Sequence, residues 1–208
     1  MARIHSYVVR YDSGFAPNPF YSYCTLATCK PRIRKIAHVG DWVVGSGSND
    51  RSVRLGGRLV YAMRITETMT FDQYCSDPRF ESKKPYRNGS RKQSCGDNIY
   101  FRAEVGADWE QRDSFHSRPD GSLNPDHVTR DTSVNRVLIS DDFAYFGGNG
   151  PQFPDELEDQ QGRNICKKGI GLTTFTDAQL ILDFEKWIRS FGVCGYHSAP
   201  FEWLTLRR

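Results

Sequence analysis

The segment CKPRIRK brings Lys30, Arg32, Arg34 and Lys35 close together, and cations at that density suit an anionic partner. Arginine offers a planar fork that matches phosphate oxygens, and lysine a mobile point charge. A second basic segment, SKKPYRNGSRK, adds Lys83, Lys84 and Arg87. Net charge is only +3 over 208 residues, so these are local patches on a nearly neutral chain rather than the field of a polycation. The competing readings are a solvated helix face for the first segment and a solvated loop for the second.

Aromatic residues gather at Tyr7, Tyr11, Phe15, Phe20, Tyr21, Tyr23 and Trp42. A base lying outside a duplex needs flat faces to stack on and polar groups to read its edge. Asp12, Asn18, Thr25 and the loop Ser46-Gly47-Ser48 supply such groups, and small residues let a ligand approach the main chain. Each ring taken singly reads more simply as core packing.

Catalytic patterns are weaker. His116, His127 and His197 could pair with Asp113, Asp120 or Asp126, but the spacing matches no metal-ligand set and reads as surface histidine. Cys24 or Cys29 near His38 could form a thiol and base, although nearness in sequence is a poor sign of that pairing. The six cysteines lack a CxxC pair and are expected to be reduced and mostly buried. GGNGP at 147–151 reads as a turn, because it has neither the P-loop ending nor the dinucleotide glycine order. Asp141 and Asp142 are adjacent on a strand end and point to opposite faces, which suits turn capping.

Positioning these groups requires a framework. Alternation predicts strands over 4–11, 42–45, 58–65, 99–105, 134–140 and 143–146. Capping boxes at Thr70/Gln73 and Thr176/Gln179 predict two helices, the second running over roughly 177–191 with Leu180, Ile181, Phe184, Trp187, Ile188 and Phe191 on its apolar face. The acidic piece 154–161 predicts one or two helical turns, and 45–49 a glycine-serine loop. With 38% apolar residues the chain suits one α+β domain with a loop-rich insertion over roughly 81–133. It has no apolar run near the roughly 18 residues of a membrane span, so a cytoplasmic protein with no membrane partner is expected.

The stretches SYVVRYDSGFAPNPFYSYCTLATCKPRIRKIAHVGDWVVGSGS, GGRLVYAMRITETMTFDQY and DDFAYFGGNGP resemble the nucleotide modification associated domain 2 family of bacteria and phages, most strongly over residues 6–75. The order of strand, basic segment, VGDWVV strand and small-residue loop is also similar to the PUA-like superfamily, with its EVE, YTH and ASCH domains. That likeness implies a mixed β-barrel or strongly curved sheet with flanking helices. It further implies a base pocket in which Trp42 lines the wall, Ser46, Gly47 and Ser48 form the rim, and Tyr11, Asp12, Thr25 and Leu26 touch the base.

The expectation is therefore a binding module for a modified base in nucleic acid, with Lys30, Arg32, Arg34, Lys35, Lys83, Lys84 and Arg87 on phosphates and no catalytic residue, cofactor or metal. The alternative is an enzyme of nucleotide modification drawing on Asp12, Cys24, Lys30 and Asp142. An accessory subunit that binds a protein partner through the insertion is a third.

Overall fold

A computed structural model describes residues 2–192 and 194–205. Its strands are β1 (Ile4–Val9), β2 (Cys24–Leu26), β3 (Trp42–Gly47), β4 (Leu59–Arg64), β5 (Glu67–Met69), β6 (Tyr100–Phe101), β7 (Glu110–Gln111), β8 (Val137–Ser140), β9 (Asp142–Tyr145), β10 (Leu172–Phe175) and β11 (Gly195–Tyr196). Its helices are α1 (Pro31–Ile36), α2 (Phe71–Ser76), α3 (Arg91–Ser94), α4 (Pro125–Thr132), α5 (Ala178–Ser190) and α6 (Phe201–Thr205). These elements divide between two compact units, one built from 1–13, 37–66 and 140–208, the other from 14–36 and 67–139.

The first unit is organised by a mixed six-stranded sheet in the order β10-β1-β3-β4-β9-β11. β1 runs parallel to β3, and β9 parallel to β11, while the remaining neighbours are antiparallel. β3 is buried along its whole length, as a central strand covered on both faces must be. Gly45 is required there, because a Cβ would lie 2.5 Å from the Tyr61 ring. α5 covers the sheet with Leu180, Ile181, Phe184 and Ile188, and Gly192 ends it at φ +61°. Its N-cap is Asp177, whose carboxylate accepts from the Gln179 and Leu180 amides, so the expected Thr176 box is displaced by one residue.

The second unit has its own core of Phe15, Ala27, Phe71, Tyr74, Phe80, Ile99, Tyr100, Val137 and Ile139. A three-stranded sheet, β2-β8-β5, lies in it. α2 starts at the expected capping box, with both halves of the Thr70/Gln73 exchange made. The Asn124 side chain caps α4 in a stretch read from the sequence only as polar and turn-rich.

The protein is thus α+β. A closed barrel is not what the described strands form, since the six-stranded sheet ends at β10 and β11 without those two pairing. The loop expected at 45–49 is strand as far as Gly47, and the acidic piece 154–161 makes turns rather than helix. No described helix is long and apolar enough to cross a membrane.

Candidate functional site: a cysteine, histidine and aspartate in one hydrogen-bonded line

Cys29 sits between β2 and α1, on a turn that the chain makes in the left-handed region, with φ +56° at Cys29 and +43° at Lys30. Neither residue is glycine, so each costs on the order of 1–3 kcal/mol and persists only because its surroundings hold it. Two bonds do so: the Cys29 amide donates to Asp131 Oδ1 at 3.1 Å, and Arg34 Nε donates to the Cys29 carbonyl at 3.0 Å. A strand, a strained turn and a helix is also the arrangement that pushes a nucleophile outward in other folds.

The Cys29 Sγ lies 3.4 Å from His116 Nε2, and His116 Nδ1 lies 2.9 Å from Asp131 Oδ2. Asp131, on the last turn of α4, is fully buried and takes further bonds from Tyr100 Oη at 2.8 Å and Arg130 Nε at 3.2 Å. Burial alone would raise the Asp131 pKa, but His116, Tyr100 and Arg130 together hold it below the usual carboxylate range. An ionised Asp131 accepts from Nδ1–H, which leaves Nε2 facing the thiol as proton acceptor.

Burial would lower the His116 pKa; the Asp131 and Cys29 contacts outweigh it and leave the imidazole above the ordinary histidine value. A raised histidine stabilises the fold below its unfolded value of about 6.5, and that contribution disappears as pH rises through the folded value. His116→Gln is therefore expected to lower the melting temperature more at about pH 5.5 than at about pH 9. Equal losses at both pH values would show that the His116–Asp131 pair is not charged.

The ring of Phe15 packs edge-on to His116 at 4.8 Å, and His127 does so at 4.2 Å. His127 Nδ1 is buried without a hydrogen-bond partner, a costly state that water or a ligand group relieves.

Arg34 belongs to this site in another capacity. Its guanidinium is fully buried and donates to the carbonyls of Cys29, Val134, Arg136 and Asp131, the last at 2.6 Å. One side chain thus ties the backbone of the thiol turn to that of the aspartate helix. Its pKa is pulled down to about 10 by burial, against Asp131 and Cys29, so it stays charged at neutral pH.

The residues expected to touch phosphate separate accordingly. Lys30, Arg32, Lys35 and Arg87 are exposed, and Lys84 is half-buried in an ion pair with Glu81. Arg34 and Lys83 are corrected to interior roles. Lys83 Nζ is fully buried among Asn18 O and Oδ1, Tyr23 O and Thr25 Oγ1, all within 3.0 Å. Burial pulls its pKa down to about 8 against the opposing fields of Asp97 and Cys24. Lys83→Met should cost roughly 3–5 kcal/mol by leaving those oxygens and the Asp97 charge unanswered. Equilibrium unfolding in urea measures it, and a loss below about 1 kcal/mol would contradict the assignment.

The residues expected to form a base pocket divide between the two units. In the first unit Trp42 is a core residue, its ring 5.4 Å edge-on from Phe184 and its Nε1 donating to Glu185. Ser46 is fully buried, its Oγ accepting from the Lys167 amide, and the Ser48 Oγ accepts from the Asp50 amide. Leu55 O would stand 2.1 Å from a Cβ on Gly47, so the chain itself fills that rim. Asp12 is buried and accepts from Tyr145 Oη at 2.5 Å and the Phe201 amide at 3.2 Å, whereas Tyr11 is 70% exposed. Thr25 and Leu26 lie in the second unit, where Thr25 Oγ1 donates to Asp97 at 2.7 Å and Leu26 is core. Of the enzyme candidates, Asp142 pairs with Arg189, and Cys24 is fully buried.

The Cys29–His116–Asp131 line was not visible as a pattern, because its members lie 87 and 15 residues apart. The signal that could have found it is the general one: a reactive cysteine's histidine is distant in sequence, not adjacent.

A buried carboxylate, an imidazole and a half-buried thiol in one hydrogen-bonded line, carried by a small α+β unit, define a Cys–His–Asp relay. The chain that carries it belongs to the nucleotide modification associated domain 2 family, matched over residues 1–207. The likeness seen in the strand and turn segments therefore extends over the chain. No curated protein and no solved structure gives a significant match.

Proposed function

We propose that this protein is a thiol-dependent enzyme of nucleotide modification that transfers an acyl group through Cys29. The observation that carries the reading is the relay itself, with Nε2 3.4 Å from the thiol and Nδ1 2.9 Å from a buried carboxylate. The family's association with nucleotide modification supports the pathway. His116 Nε2 takes the Cys29 proton as sulfur attacks the carbonyl carbon of an ester or amide. The bond to the leaving oxygen or nitrogen breaks, and the same imidazolium returns the proton to it. The resulting thioester is then attacked by an amine or water, which gives its proton to His116 while the Cys29 thiolate leaves. Asp131 holds the tautomer and orientation throughout. A nucleophile whose base is itself oriented by a third group suits substitution at an acyl centre, because one proton must be taken and one given back.

The test is acylation by p-nitrophenyl acetate, read by intact mass and peptide mapping. A single acetyl group on Cys29, released by hydroxylamine, is expected. Acetylation spread over surface lysines with Cys29 unmodified would refute the proposal.

A second reading keeps the nucleic-acid partner but not the chemistry: a reader of a modified base, related to PUA-like modules. Exposed Lys30, Arg32 and Lys35 around α1 favour it. It expects binding of oligonucleotides that weakens steeply with salt and is unchanged in Cys29→Ala.

A further inference from the structure

Beside the relay lies a surface for which the acyl chemistry has no use. Phe115 is 44% exposed although it precedes the buried His116, and the Arg87 guanidinium stacks on its ring at 4.5 Å. Arg87 is held there by the Ser94 carbonyl at 3.3 Å and by Asp113 at 3.9 Å. Phe15 touches both sides of this arrangement, 5.8 Å edge-on from Phe115 and 4.8 Å from His116, so the exposed ring stands one side chain away from the relay histidine. Two exposed cations adjoin the other members of the line: Lys30 follows Cys29, and Arg130 bonds Asp131 with its side chain 46% exposed.

We infer that the Phe115–Arg87 pair seats the base of a nucleotide substrate, with Lys30 and Arg130 on its phosphate; this rests on the acyl-transfer reading of the same site. A planar guanidinium already lying on an aromatic ring presents a second flat face, and a nucleobase completes the stack. Such stacking tolerates any base, since every base has a π-face. The adjoining cations add a requirement for phosphate, which separates a nucleotide from a free base or an aromatic peptide side chain. The cavity lined by Gln152, Phe153 and Lys168 has no guanidinium in its lining. The base held in this way stands one side chain, Phe15, from the relay histidine.

The experiment measures binding of AMP, GMP, CMP and TMP, of the matching nucleosides, and of a short single-stranded oligonucleotide to the full chain by saturation-transfer NMR and calorimetry. Cys29→Ala should bind as the wild type does. Phe115→Ala should weaken binding at least about tenfold and Phe115→Trp should retain it, while nucleosides without phosphate bind more weakly. Phe115 is a surface side chain, and an unchanged melting curve for both variants confirms their folding. Phe115-dependent binding of mononucleotides identifies a free nucleotide as the substrate; the same dependence seen only with the oligonucleotide identifies a strand. No binding of either, or binding that ignores Phe115→Ala, overturns the inference. If nucleotides fail while p-nitrophenyl acetate still acylates Cys29, the base seat is wrong and the catalysis stands. If Phe115-dependent binding is found but Cys29 is never acylated, the seat stands and the catalysis falls.

Discussion

Cys29→Ala is expected to form no acetyl-enzyme with p-nitrophenyl acetate, and His116→Gln to slow acylation of Cys29 by about 10²–10⁴-fold, the usual contribution of a positioned base. The two effects are not additive, because nucleophile and base act as a unit: the double variant should release p-nitrophenolate at the same background rate as Cys29→Ala alone. Asp131→Asn should also slow the reaction, since an amide no longer fixes the imidazole with its acceptor nitrogen toward sulfur. That variant loses other bonds too, as Asp131 receives the Cys29 amide, Tyr100 Oη and Arg130 Nε. Stopped-flow release of p-nitrophenolate, normalised to folded protein, separates the rate from the fold.

Arg34→Ala is expected to be the most destabilising single change at the site. It would remove the guanidinium donor from the carbonyls of Cys29, Arg136 and Asp131, whereas Val134 O keeps the Arg136 amide. Each unpaired buried acceptor costs about 1–3 kcal/mol, so a total of at least about 3 kcal/mol is expected, within reach of the whole stability of a small domain. Arg34→Lys should recover little, because an ammonium on a flexible stem cannot span carbonyls that a planar fork reaches together. Urea unfolding measures both. A loss below about 1 kcal/mol for Arg34→Ala would mean that water or a neighbouring side chain replaces the guanidinium. The change should also free the turn at Cys29, whose φ of +56° the Arg34 bond helps to hold.

Periodicity made β1, β3, β4, β9 and α5 legible, because each carries enough apolar residues at one spacing for burial to dictate its type. The Thr70/Gln73 box was legible for the same local reason. The helix at 125–132 was not: its residues PDHVTRDT are polar, and only the Asn124 cap and the burial of Asp131 distinguish it from a loop. Ser46 and Gly47 read as a loop on the pocket rim, yet the ladder to β1 makes them strand. Charge misled in one instructive way. Arg34 and Lys83 look like their neighbours Arg32 and Lys84 in the sequence, but carbonyl-rich interiors took up the first of each pair, leaving Arg32 exposed and Lys84 half-buried beside Glu81. A cation's local context does not say whether its partners are phosphates or main-chain oxygens. The relay has no local signature for a related reason: tertiary structure alone brings Cys29 to His116.

If His116 activates Cys29, competition between the thiols of one chain reveals it. Cys194 is exposed, whereas Cys29 is half-buried, so access alone favours Cys194. With limiting iodoacetamide near neutral pH, quantified by peptide mapping, Cys29 is expected to be alkylated first, and His116→Gln to reverse the order. Alkylation of Cys194 ahead of Cys29 in the wild type, with no change on replacing His116, would contradict it.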